Sequence, residues 1–154
     1  MNFTDALTRS RRALVIFPES SLTGESTSML FRHLIRKFSL EGIMVLIRDD
    51  QLFSMASIPT LKTLTYSAND INTWFVPRRE LLQRMKINIF DVALDLNIGL
   101  SLPSAFLCKA SNAPLRVSFA KQDGDQFYNF QFQSKGAASN TRTYRSFLKC
   151  LDMF

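Results

Sequence analysis

The densest group of reactive side chains is the stretch Glu19-Ser-Ser-Leu-Thr-Gly-Glu25. It puts two carboxylates, the hydroxyls of Ser20, Ser21 and Thr23, and the start of a helix within seven residues. A carboxylate here can deprotonate an acceptor hydroxyl when its neighbours set its pKa near the working pH. A helix N-terminus beside it can receive an anion through free N–H groups and the dipole, without a glycine-rich loop. The competing reading is a capping loop with solvated acids. Further polar groups follow other apolar runs: Asp49 and Asp50, then Asp95 and Asn97, then Lys121. Asp91 and Asp95 are four apart, so a strand would aim both at one face. Asp95 at that strand's end suits a structural role, accepting from backbone N–H groups of a neighbouring loop.

Several chemistries are excluded. His33 is the sole histidine and the two cysteines, Cys108 and Cys150, form no CxxC pair. A zinc site or a Ser/His/Asp triad therefore has no ligand set or base, and no metal or cofactor is expected. His33, between Arg32 and the apolar pair Leu34 and Ile35, suits a solvated helix face, and both cysteines suit a reduced core. The five glycines fall in neither GxGxxG nor GxxxxGK[ST], which removes the dinucleotide fingerprint and the Walker loop.

Net charge is +6, yet the basic residues are scattered from Arg9 to Lys149 in clusters no longer than two. The aromatic alternation Tyr128, Phe130, Phe132 beside that charge invites an RNA-stacking reading. Fourteen phenylalanines fit a Phe-rich core better, so nucleic acid is not the expected partner. Trp74 and Phe75, ahead of Val76-Pro77, read either as an exposed clasp for a partner or a sugar ring, or as a pair packing their loop onto the sheet.

These groups need a scaffold, and composition permits one. With 154 residues, 46% hydrophobic and 21% charged, the chain suits a single domain over residues 1–154, with 1–12 as an N-terminal extension. A chain this long buries about 70% of its unfolded surface. No run of about 20 apolar residues spans a membrane, and Ala13–Phe17 is too short for a signal-peptide core, so a cytoplasmic location is the default expectation.

The apolar run Ala13–Phe17, stopped by Pro18, predicts a strand buried on both faces. Ser26, Thr27 or Ser28 can cap the next helix, whose stripe is Leu30, Phe31, Leu34, Ile35 and Phe38, with Gly42 as its exit. Strands follow at Ile43–Ile47, Thr60–Tyr66, Phe90–Leu96 and Leu115–Phe119. A half-buried edge strand follows at Tyr128–Phe132. Gln51–Ser57 is a weaker segment and Asn69–Pro77 a loop. Helices are expected at Arg78–Lys86, Leu102–Ser111 and Thr143–Phe154. Strands alternating with helices imply βαβ units: an α/β, Rossmann-like three-layer domain with a mostly parallel sheet of about six strands. Ligands of such sheets bind beyond the strands' carboxyl ends. That rule selects Ser20, Ser21, Thr23 and Gly24 after the first strand and Asp95 and Asn97 after the fourth.

Three stretches carry a family resemblance. Ala13-Leu-Val-Ile-Phe17 with Ser20-Ser-Leu-Thr-Gly-Glu25 resembles the first strand and Ser-Leu-Gly-Asp turn of the heptosyltransferase-like glycosyltransferases, glycosyltransferase family 9. Phe90-Asp-Val-Ala-Leu-Asp-Leu-Asn97 resembles that family's Tyr-Asp-(apolar)-Asp-Leu-Gln strand, and Ser104–Phe119 resembles the helix and strand after it. A second resemblance, to short uncharacterised Bacteroidetes-type proteins, includes the loop Asn72-Thr-Trp-Phe-Val-Pro77 and spans the whole length. The first implies half of a GT-B enzyme, the acceptor-binding side, with Glu25 standing for the Ser-Leu-Gly-Asp aspartate as a catalytic base; Thr23 is inserted and Glu replaces Asp. It further implies that the donor-binding domain lies outside these residues. The expected roles are therefore binding of a sugar-containing small molecule or a protein partner, without catalysis by this chain alone, or else a transferase subunit completed by another chain.

Overall fold

The computed structural model describes residues 2–20, 22–55, 61–133 and 139–153. Six strands form one sheet: β1 Ala13–Ile16, β2 Ile43–Arg48, β3 Lys62–Tyr66, β4 Val92–Asp95, β5 Leu115–Phe119 and β6 Phe130–Phe132. Their order is β3-β2-β1-β4-β5-β6 and every pairing is parallel, with β1 central and flanked by β2 and β4. This is the Rossmann-like α/β architecture that the alternation of elements predicts.

The alternation of side chains along β1 builds two cores. Ala13 and Val15 join Phe31, Leu34, Phe147 and Leu148 on one face. Leu14 and Ile16 join Leu81, Met85, Leu107 and Cys108 on the other. The helices sort accordingly. α1 (Phe3–Arg9), α2 (Gly24–Phe38) and α5 (Asn140–Asp152) cover the first face, and α3 (Arg79–Lys86) and α4 (Leu102–Ala110) the second. β6 is the half-buried edge expected, but shorter than Tyr128–Phe132: Tyr128 precedes the strand and is buried in the second core, whereas Phe130 and Phe132 pack against the first. Phe130 stacks on Phe3 of α1 at 3.6 Å and Phe132 packs on Phe147 of α5 at 5.7 Å. Among the described residues no helix is long and apolar enough to cross a membrane.

Four local expectations are corrected. α2 starts earlier than Ser26–Ser28 suggests, because Thr23 is the N-cap and its Oγ1 accepts from Ser26 N at 3.1 Å. The helix ends at Ser39, with φ 64°, rather than at Gly42. Gly42 serves packing instead: a Cβ there would run into the backbone oxygens of Phe38 and Arg11. Asp91 does not share a strand face with Asp95. It precedes β4 at the opposite rim, where its Oδ2 accepts from the N–H groups of Arg11 and Arg12, both at 2.9 Å. Burial there pushes its carboxyl up, but those two bonds and the Arg12 guanidinium outweigh it and hold the pKa below the ordinary value. Finally, Cys108 is buried but Cys150 only half so; neither is bonded to another sulfur.

The loop that carries Trp74 and Phe75 is held by one side chain. Asn72 Oδ1 accepts from Trp74 N at 2.9 Å and Val76 N at 3.0 Å, and Ile71 bridges to Pro77.

Candidate ligand site at the carboxyl rim

In the order 3-2-1-4-5-6 the chain reverses direction of growth between β1 and β4, and the loops leaving those two strands separate to open a crevice. Pro18 ends β1 and delivers Glu19 there. Two side chains pin its backbone: Glu19 N donates to Asn97 Oδ1 at 2.9 Å, and Gln51 Nε2 donates to Glu19 O at 3.1 Å.

The opposing loop, residues 96–101, is fixed from beneath. Asp95, 1% exposed, accepts through Oδ1 from Asn97 N at 3.0 Å and Asn97 Nδ2 at 2.8 Å, while Tyr128 OH donates to its Oδ2. Asn97 Nδ2 also reaches Ser104 Oγ at 3.0 Å, and Ser101 Oγ donates to Ser104 Oγ at 3.1 Å. Side chains bond the loop's carbonyls as well. Lys121 Nζ donates to Asn97 O at 2.7 Å and Gly99 O at 3.2 Å, and Tyr144 OH to Leu96 O at 2.7 Å. Burial lowers the Lys121 pKa, opposed by the Asp95 charge. Burial, then the Asp95 charge and hydrogen bond, raise that of Tyr128. A buried carboxylate with this many donors is a structural anchor. It presents Asn97 toward β1 and does not itself face solvent.

Two cavities open on this rim. One of 490 Å³ is walled by Tyr66, Ser67, Ile71, Asn72 and Phe75. The other, of 610 Å³, is walled by Ser20, Leu22, Asn97, Asn140 and Tyr144. Glu19, Arg48, Leu100 and Ser101 line both, so they form the shared wall. Volumes of this size suit small-molecule sites. Arg48 is committed to Asp50, with Nη2 to Oδ2 at 2.6 Å. The half-buried Glu19 carboxylate makes no hydrogen bond or ion pair among the described residues. Its charge is felt nearby: Tyr66 has its pKa raised first by burial and next by Glu19.

The residues singled out from sequence separate into groups. Asn97 and Ser20 line the second cavity, and Asp95 lies beneath it. Thr23 and Gly24 are exposed at the start of α2, where Thr23 caps the helix. Glu25 is exposed on that helix's first turn and is absent from the linings of both cavities. Ser21 lies outside the described residues. Arg48, Tyr66 and Ser101 are not among the sequence candidates; each becomes legible only once β1 is known to lie between β2 and β4, with β3 beyond β2. No group of three or more His, Cys, Asp or Glu able to hold a metal occurs among the described residues.

No family model matches the sequence, and no curated protein matches it significantly. Among solved structures it is similar to a glycosyl transferase family 9 protein from Veillonella parvula DSM 2008, with a TM-score of 0.72 at 13% identity. The match covers 94% of this chain and 42% of that one, so this chain spans less than half the neighbour's length. At that identity the likeness is one of fold.

Proposed function

We propose that this chain binds a sugar-containing small molecule across the two rim cavities, with the Glu19 carboxylate as the hydrogen-bond acceptor between them. The single observation carrying this reading is the position of Glu19: backbone pinned from both sides, carboxylate unbonded among the described residues, at the wall both cavities share. A carboxylate so placed accepts from ligand hydroxyls, and its immobile backbone lowers the ordering cost of binding. The fold likeness to a glycosyl transferase supplies the ligand class. Binding, rather than turnover, is the activity assigned to the chain alone. Proximity contributes about 7–11 kcal/mol only when both reactants are held in one geometry, and the motif resemblance implies the acceptor side for this chain.

Thermal melting against nucleotide sugars, sugar phosphates and alkyl glycosides tests the reading. At least one class should raise the Tm progressively with concentration, by the mass-action stabilisation expected when only the folded state binds. Glu19→Gln should blunt that rise without lowering the ligand-free Tm. A flat response to every class would overturn it.

A second reading, a transferase subunit completed by another domain, is favoured by the coverage of 42% of the neighbour. Under it, Glu25 on the α2 first turn is the proposed base. Glu25→Gln would abolish transfer in the completed assembly, and unchanged turnover would remove Glu25 from that role.

A further inference from the structure

Trp74 is 80% exposed and Phe75 57%, so the pair does not pack its loop onto the sheet. Leaving two aromatic rings in water forgoes some of the largest burial energies available to side chains. Phe75 in addition holds φ at 63°, a conformation costly for a bulky residue, and its ring lines the 490 Å³ cavity. The turn is locked by Asn72 through both Oδ1 bonds and by Phe75 N donating to Asn72 O at 3.0 Å. The Phe75 ring is therefore presented to the cavity by a preorganised loop, and the exposed Trp74 ring adjoins it in the chain.

From this we infer that Phe75 and Trp74 form a stacking platform for the apolar face of a neutral, hydroxylated ring, a pyranoside, whose hydroxyls are received by Glu19. The inference rests on the cavity-binding reading above and adds to it a subsite and a charge preference. Electrostatics select a neutral ligand. Arg48 is already paired with Asp50, so the unmatched charge on this cavity is that of Glu19. The α4 N-terminus at the same wall offers little to an anion, because Pro103 has no N–H and Ser104 N already donates to Ser101 Oγ. A planar carbohydrate face against aromatic rings, with a carboxylate across the cavity, satisfies both halves of the lining.

Trp74 is the only tryptophan in the chain, so its emission reports on this loop alone. Titration with the methyl glycosides of glucose, galactose, mannose and N-acetylglucosamine should give a saturable blue shift with at least one. Phe75→Ala should weaken that ligand about tenfold or more, the scale of losing a central aromatic contact. Phe75→Tyr, which keeps the ring, should retain it, and circular dichroism should show both variants folded. Glucose 1-phosphate should bind more weakly than methyl glucoside. No shift with any glycoside, unchanged affinity in Phe75→Ala, or preference for the phosphate would each overturn the platform. Melting-point stabilisation by a sugar with silent Trp74 emission would overturn it while leaving cavity binding intact; silence in both would remove both.

Discussion

Asp95 and Glu19 show how the same functional group takes opposite roles within one crevice. Asp95 is enclosed by Asn97 and Tyr128 and serves as an anchor, whereas Glu19 has a fixed backbone and an unbonded carboxylate. Tyr128→Phe removes one donor from a buried carboxylate, which should cost about 1.5–3 kcal/mol. For a chain of this size that lowers the Tm by roughly 4–10 °C, measured by calorimetry. At the other rim, Asp91 gives a pH signature. Its folded pKa lies below the unfolded value, so its stabilisation is present above the unfolded pKa and lost as pH falls through the folded one. Asp91→Asn should therefore be less stable than the parent at neutral pH, by about 1 kcal/mol or less for so exposed a pair. The gap should start to narrow as pH falls past the ordinary aspartate pKa of about 3.9 and close only below the lower folded pKa, where the native parent's carboxyl is also protonated; urea melts across pH measure this. A gap that persisted in acid would show that the loss comes from packing rather than from charge.

Among the elements, legibility tracked how unambiguous the local physics is. Leu115–Phe119 is a strand with the bounds expected from the sequence, and Ala13–Phe17 differs from the observed β1 by one residue. The α2 start was obscured because Thr23, Ser26, Thr27 and Ser28 are all competent caps, and the stripe that marks the helix begins only at Leu30. The Gln51 region gave no periodic signal, and it folds as 3-10 turns over Asp49–Met55. Gly42 was read as a helix exit, yet its lack of a Cβ matters for a tertiary approach that no local pattern encodes. Gly42→Ala would press a methyl group on the carbonyls of Phe38 and Arg11, and its own carbonyl receives Ala13 N at 2.7 Å. Both neighbours are backbone and cannot rotate away, so a loss of about 1–3 kcal/mol is expected in denaturant melts. A neutral effect would show that this turn can shift as a unit.

For the whole molecule, the fold class follows from alternating strands and helices, but the make-up of the rim cavities depends on strand order. The carboxyl-end rule points to the loops after the first and fourth strands, and Asn97 and Ser20 from those loops do line a cavity. That Arg48, Tyr66 and Ser101 converge on Glu19 follows from β1 lying between β2 and β4, a tertiary arrangement that periodicity does not encode. For Trp74 and Phe75 the residue types leave clasp and packing both open; their exposure excludes packing onto the sheet. The account's central claim is that a small ligand seats at the rim between the ends of β1 and β4, against Glu19. Amide chemical-shift mapping during titration with the methyl glycosides tests it most directly. The predicted result is saturable shifts clustered on Glu19, Ser20, Asn97, Ser101 and Phe75, weakened in Glu19→Gln. Shifts gathered instead around Gly42, Lys62 and Ile89 at the opposite rim, or none at all, would contradict it.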